Sequence, residues 1–396
     1  MDKTPVASAQ APEGRTSMSE FVSASAARTD LWRIFHRIAR ALVWADVASA
    51  ERLRREAASV LAELVPLEDV NGYPGPHLMA QVRGRLQTGD GTGLARLVQR
   101  ISAALLANSY RDDLEAWSTE DEGDTHLPDV LPPSIGRGQA RRPYFEILIV
   151  SAGDRANWPA LRESFRRLRR EEDAFVYEPV VVGSFEDAVL AALFNFNLQS
   201  VVIVDGFGYA SQYDLPPLKE ILAPHLPPGA SGAMPEMGTA LARVLRHLRP
   251  ELDMFLVTDH DIGKLAGSDE AGTLRRVFYG VEEPMEIHLS ILDGIKDRYE
   301  TPYFDNLKKY AARPIGTFHA LPIARGKSIF KSNWIRDMGE FYGANLFLAE
   351  SSATTGGLDS LLEPTGNIKV AQDKAARALG GDELFFVTNG TSTSNK

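Results

Sequence analysis

The chain has 396 residues, 44% hydrophobic and 24% charged, with a formal net charge of −10 and no cysteine. The missing cysteines exclude disulfides, thiolate metal sites and cysteine nucleophiles, and the acidic balance argues against sequence-independent nucleic-acid binding, which needs a basic surface. No stretch has the unbroken apolar length of a membrane span, and Met1-Asp2-Lys3-Thr4-Pro5 lacks the basic-then-apolar layout of a signal peptide, so a cytoplasmic location is expected.

Residues 1–28 are rich in Ser, Ala, Thr and Pro without apolar periodicity, which predicts disorder. From Asp30, a candidate N-cap, Leu31, Ile34, Phe35, Ile38, Leu42 and Val43 follow helical spacing. Further helices are expected over Val47–Leu64, Leu78–Leu86 and Leu94–Leu114, separated by the turn residues Pro74, Gly75 and Pro76. Residues 29–117 therefore read as a helical N-terminal unit that packs or docks. Residues 118–142 read as a linker, because the acidic run Glu120-Asp121-Glu122-Gly123-Asp124 is followed by Pro128, Pro132 and Pro133.

Strands and helices alternate next. Apolar strands are expected at Phe145–Val150, Val176–Val182, Val201–Asp205, Met254–Thr258 and Val277–Tyr279. Helices are expected at Trp158–Arg170, Phe185–Phe194, Leu218–Leu222 and Met237–Leu248. Near-continuous Val/Ile/Leu strands separated by helices imply a parallel sheet covered on both faces. Residues 143–284 thus read as an α/β, five-stranded flavodoxin-like or receiver-like domain. One or two linking helices fill 285–312. Residues 313–396 start a new region with a helix near Ile368–Leu379 and a short strand, Leu384-Phe385-Phe386-Val387.

That strand runs into Thr388-Asn389-Gly390-Thr391-Ser392-Thr393-Ser394-Asn395-Lys396. Gly390 allows a tight turn, and the hydroxyl residues fall where a helix would begin. Exposed N–H groups and hydroxyls there suit a phosphate dianion. An ordinary Ser/Thr N-cap after a strand produces the same local pattern. Other candidate sites are weaker. Gly326-Lys327-Ser328 lacks the earlier glycine of a phosphate-binding P-loop, since that position is Leu321. Asp205 ends a central strand, but the acidic pair and lysine of a phospho-acceptor site are missing, so a turn or cap role is expected. Asp259-His260-Asp261 reads as a solvated loop rather than a metal site.

Residues Thr317–Lys396 resemble bacterial ornithine/lysine/arginine decarboxylases of the aspartate-aminotransferase fold, the fold type I group of pyridoxal-phosphate (PLP) enzymes. The matching strings are Thr354-Thr355-Gly356-Gly357-Leu358-Asp359-Ser360-Leu361-Leu362-Glu363-Pro364-Thr365-Gly366, then Ile368-Lys369, Ala371-Gln372, Ala375-Ala376-Arg377 and Phe386 to Lys396. The family's receiver-like "wing" domain fits residues 143–280. The resemblance implies PLP as cofactor, with Gly390, Thr391, Ser392 and Thr393 holding its phosphate. It implies a basic amino acid as substrate, with arginine, lysine and ornithine all open, and a homodimer or higher homo-oligomer. It also implies that Thr354–Asp359 reaches the partner's site.

Two departures shape the expectation. Phe318-His319-Ala320-Leu321-Pro322 keeps only part of the family's His-x-Pro-Gly-His signature, which reads as a divergent branch. The family's cofactor-bonding lysine, in a Ser-x-His-Lys type motif, lies downstream of the matched positions, and Lys396 does not replace it. The chain by itself is therefore expected to bind PLP poorly and not to decarboxylate. The alternative is a non-catalytic assembly or regulatory protein that uses the wing.

Overall fold

The computed structural model describes residues 18–111, 142–214, 216–226, 237–259, 272–279, 284–316, 323–351 and 357–395, with side chains from residue 26. The chain divides into two compact units, Met1–Ile295 and Lys296–Lys396.

The first unit opens with four helices: α1 (Met18–Leu42), α2 (Val47–Asp69), α3 (Gly75–Thr88) and α4 (Gly91–Ala107). Helix α1 begins at Met18, inside the stretch whose composition predicts disorder. Its first turn has the helically spaced Met18, Phe21 and Val22, but the Ser/Ala run from Ser23 to Ala27 interrupts the pattern before Trp32, Phe35 and Ile38 enter a shared core. Asp46 caps α2 by accepting from the Ser49 N–H at 2.8 Å, and Asp90 caps α4 by accepting from the Gly93 N–H at 2.8 Å. Trp32, Phe35, Leu61, Leu64, Leu94, Val98 and Ile101 interlock among the helices.

Five parallel strands follow: β1 (Tyr144–Val150), β2 (Val176–Val182), β3 (Leu198–Val204), β4 (Asp253–Thr258) and β5 (Arg276–Tyr279). Their order is β2-β1-β3-β4-β5, the flavodoxin-like arrangement expected from the sequence. The register runs Tyr144 opposite Val176 and Val150 opposite Val182. Between the strands lie α5 (Trp158–Arg166), α6 (Phe185–Phe194), α7 (Pro216–Leu222) and α8 (Met237–Leu248). Strand alternation sends Phe145, Ile147 and Ile149 to one face, against Trp158, Phe165 and Ile291. Leu148 and Val150 go to the other, against Val189 and Leu241. Every residue of α6 is buried, which is why its sequence, FEDAVLAALF, has no polar face. Burial of each large apolar side chain contributes roughly 1.5–3 kcal/mol. Ser184 caps α6, accepting from the Asp187 N–H at 3.1 Å.

Helix α9 (Pro284–Tyr299) covers the sheet with Ile287, Ile291 and Ile295. Pro302 then starts α10 (Pro302–Ala312), so the predicted linking helices are two. The second unit continues with α11 (Lys327–Lys331), α12 (Arg336–Tyr342), α13 (Ala344–Leu348), α14 (Asn367–Leu379) and α15 (Thr391–Ser394). Leu384–Val387 is not a strand here. It pairs with nothing in a ladder, and Phe385, Phe386 and Val387 are exposed. A strand needs a neighbour to take its N–H and C=O groups, and none is present among the described residues of this unit.

Candidate functional site

The segment singled out by sequence sits at the end of the second unit. Gly390 has φ 74 and ψ −173, a backbone region essentially reserved for glycine, and no neighbour lies within 4 Å of where a Cβ would be. The requirement for glycine is therefore conformational. The turn feeds α15, in which the Gly390 carbonyl accepts from the Thr393 N–H at 3.1 Å. The N–H groups of Thr391 and Ser392 belong to the first turn, where a helix supplies no carbonyl partner. The Ser394 hydroxyl donates to the Thr391 carbonyl at 3.0 Å and is thereby engaged within the helix. Gly390, Thr391, Ser392 and Thr393 are all exposed. The structure thus brings the four residues into one turn with N–H groups and hydroxyls together, a donor set suited to a phosphate.

Asp359 of the Leu-Asp-Ser-Leu-Leu block organises the approach to α14. Its carboxylate accepts from the Ser360, Gly366 and Ile368 N–H groups at 2.9, 2.8 and 2.9 Å. It also accepts from Thr365 at 3.2 Å. Desolvation opposes its charge, but the N–H groups of Thr365, Gly366, Ile368 and Ser360 outweigh it and hold Asp359 below the usual carboxylate range. Its observed work is to cap α14 and close the Leu358–Gly366 turn. Thr354, Thr355 and Gly356 lie outside the described residues, as do His319 and Pro322.

The residue that sequence reasoning missed is Arg325. It is buried, has φ 54, and donates to the carbonyls of Tyr310 and Ala311 at 3.0 Å each and of Arg313 at 3.0 Å. It reaches the Ile315 and Leu348 carbonyls at 3.4 and 3.3 Å. Its guanidinium lies 4.7 Å from the Tyr310 ring centre. One side chain thus satisfies the C-terminal carbonyls of α10 and ties them to α13. The adjacent Gly326-Lys327-Ser328 is no phosphate loop. Ala324 and Arg325 ahead of it have positive φ, and a Cβ on Gly326 would meet Phe347 at 2.9 Å and Phe330 at 3.0 Å.

In the first unit the Asp205 N–H donates to the Val257 carbonyl at 3.0 Å, and its carboxylate stands where a Cβ on Gly238 would lie. That is a packing role between β3 and α8. His260 and Asp261 lie outside the described residues. Among the described residues, no group of three His, Asp or Glu side chains has metal-holding geometry.

A family model described as "Orn/Lys/Arg decarboxylase, major domain" matches residues 301–396. Over this segment the chain is similar to the major domain of the Orn/Lys/Arg decarboxylases. Among curated relatives, lysine decarboxylase LdcA of Pseudomonas aeruginosa is 37% identical over 163 residues, covering 39% of this chain and 22% of that protein. The constitutive ornithine decarboxylase of Escherichia coli is 28% identical over 159 residues, covering 40% and 21%. Arginine decarboxylase of Bacillus subtilis is 37% identical over 95 residues, covering 24% and 18%. The chain therefore spans about a fifth of the length of these relatives. The solved structure of Francisella novicida lysine decarboxylase LdcF aligns at 18% identity and a TM-score of 0.37, covering 64% of this chain and 31% of that one.

Proposed function

We propose that residues 388–394 form part of the phosphate cradle of a PLP-dependent decarboxylase acting on arginine, lysine or ornithine. The observation that carries this reading is the glycine-only turn at Gly390 leading into Thr391, Ser392 and Thr393, within a segment that matches the family's major domain. In it, the first-turn N–H groups and the hydroxyls of Thr391, Ser392 and Thr393 bind phosphate oxygens, and the helix end favours the negative charge. Elsewhere in the same unit, Asp359 holds the Leu358–Gly366 turn and Arg325 the end of α10. PLP, when bound, accepts the electrons left behind as the substrate carboxylate departs as carbon dioxide. The chain's own residues anchor and orient that group.

A cytoplasmic homo-oligomer acting on a small amino acid fits the acidic composition. It also fits the observation that no described helix is long and apolar enough to cross a membrane. The test is carbon dioxide release from L-lysine, L-ornithine and L-arginine, each supplied separately with PLP to the full-length gene product. The reading expects one of the three to be turned over, and release from none of them would refute it.

A further inference from the structure

Helix α9 buries one imidazole against the sheet. His288 is 1% exposed and lies on the side of the helix that also buries Ile287, Ile291 and Ile295. Its Nδ1 is 2.7 Å from the Tyr177 hydroxyl of β2. Its Nε2 is 3.8 Å from Asp173 Oδ2, on the segment between α5 and β2, too far for a hydrogen bond. Asp173 Oδ2 already accepts from the Arg170 N–H at 2.8 Å. Arg169 and Arg170 of the same segment act on the ring as positive charges. Arg142, ahead of β1, reaches the Asp173 carbonyl at 3.5 Å and adds another.

These contacts suit one protonation state. Burial pushes the Tyr177 phenol up, so it keeps its proton and donates to Nδ1. Nδ1 is then an acceptor, and the neutral ring carries its hydrogen on Nε2, toward Asp173. A second ring proton would have to sit on Nδ1, where the Tyr177 O–H already points. The Tyr177 hydroxyl has no other hydrogen-bond partner among the described residues, so turning it away leaves a buried donor unpaired. Desolvation is the largest force against the charged ring. Asp173 favours the charge, Arg170 and Arg169 oppose it, and the balance holds His288 below the ordinary imidazole value.

We propose that Tyr177, His288 and Asp173 form an acid-sensitive latch: α9 stays seated on the sheet while the imidazole is neutral, and protonation of His288 loosens it. The latch lies within the first unit and does not depend on the decarboxylase reading. Residues Lys296–Tyr299 of the same helix already belong to the second unit, so it acts on the segment that joins the two. A base whose folded pKa is lowered contributes stability in full above its unfolded value, here 6.5, and loses it as pH falls toward the folded value.

Hydrogen exchange of the α9 amides in the full chain, read by mass spectrometry from pH 7.5 to 5 and corrected for the intrinsic pH dependence of exchange, tests this. Peptides from β3 and β4 serve as the internal reference. Protection of α9 relative to them is expected to fall below pH 6.5, by up to roughly tenfold per pH unit, the limit for one proton. His288→Gln keeps an acceptor for Tyr177 but takes up no proton, and its relative protection is expected to stay level. Asp173→Asn still accepts from the Arg170 N–H but removes the one carboxylate that favours the imidazolium, and it is expected to enlarge the loss. Relative protection of α9 that does not change with pH in the parent chain would overturn the proposal. So would the parent's pH dependence persisting in folded His288→Gln, or a smaller loss in Asp173→Asn, which stands as the test should His288→Gln fail to fold.

Discussion

Single residues fix the second unit through backbone chemistry more than through apolar bulk. Arg325 gathers carbonyls from the end of α10 and from α13. Its replacement strands acceptors that water reaches only in part. Arg325→Met is expected to destabilise the second unit by roughly 2–4 kcal/mol, with Arg325→Lys intermediate because an ammonium has fewer donors and no fork. Hydrogen exchange of the backbone amides of α10 and α13, followed as a function of urea, checks this. Unchanged exchange in Arg325→Met would mean the guanidinium merely fills space. None of this was legible in the sequence. An arginine next to Gly-Lys-Ser carries no mark that it will be buried, because its partners are carbonyls, and carbonyls belong to every residue. Gly390 was legible as a turn position, since a glycine between an apolar run and hydroxyl residues marks where the backbone must bend, and its φ of 74 bears that out.

At the scale of elements, periodicity gave most strands and helices to within a few residues, because their burial is local and regular. Phe185–Phe194 and Val176–Val182 have the predicted limits. The errors have physical causes. The start of α1 has only Met18, Phe21 and Val22 before the Ser/Ala run from Ser23 to Ala27, and Leu384–Val387 is apolar but has no strand beside it among the described residues. The contact between the N-terminal helices and the sheet was also hidden. It is made by a buried carboxylate: Glu146 on β1 accepts from the Gly72 N–H at 2.8 Å, from Asn195 Nδ2 at 2.7 Å and from the Tyr144 hydroxyl at 3.0 Å. Asn195 also donates to the Val70 carbonyl at 2.8 Å. Alternating apolar residues reveal a strand but not which polar member of it will be buried.

Burial pushes Glu146 above its ordinary value of 4.5, against the opposing bonds from Asn195, Gly72 and Tyr144. A carboxyl whose folded pKa is raised contributes stability in full below its unfolded pKa and loses it as pH rises through the folded value. The stability of the parent chain relative to Glu146→Gln should therefore fall as pH rises from about 4.5 through that raised value. Paired denaturant titrations across this window measure the difference. A difference that does not vary with pH would show that Glu146 ionises as freely folded as unfolded.

At the scale of the whole molecule, the net charge of −10 is set against a second unit that exposes Trp334, Phe341, Leu362 and Phe385. Apolar surface of this kind favours association, and carboxylate repulsion opposes it. Self-association is expected to strengthen as pH falls from 8 to 5, read by sedimentation velocity. A distribution that stays the same across that range would rule out charge as the control. The resemblance to the Orn/Lys/Arg decarboxylases was legible because the 354–366 and 386–396 strings are specific in order as well as content, and the family model matches residues 301–396 that contain them. The substrate was not, since arginine, lysine and ornithine differ at their far ends, and no residue on these strings is tied to that end.

The account rests on the Gly390 turn being a phosphate site. Binding of PLP and of pyridoxal, which lacks the phosphate, measures this most directly when done by equilibrium dialysis on the full-length gene product and its Gly390→Val and Thr391→Val/Ser392→Ala variants. The turn needs a conformation that costs a β-branched residue roughly 1–3 kcal/mol, so Gly390→Val should disrupt the site through its backbone, since open space surrounds the Cβ position. The account predicts that PLP binds far more tightly than pyridoxal, and that both variants lose most of that difference. Equal binding of PLP and pyridoxal, or a phosphate preference unchanged in Gly390→Val, would contradict it.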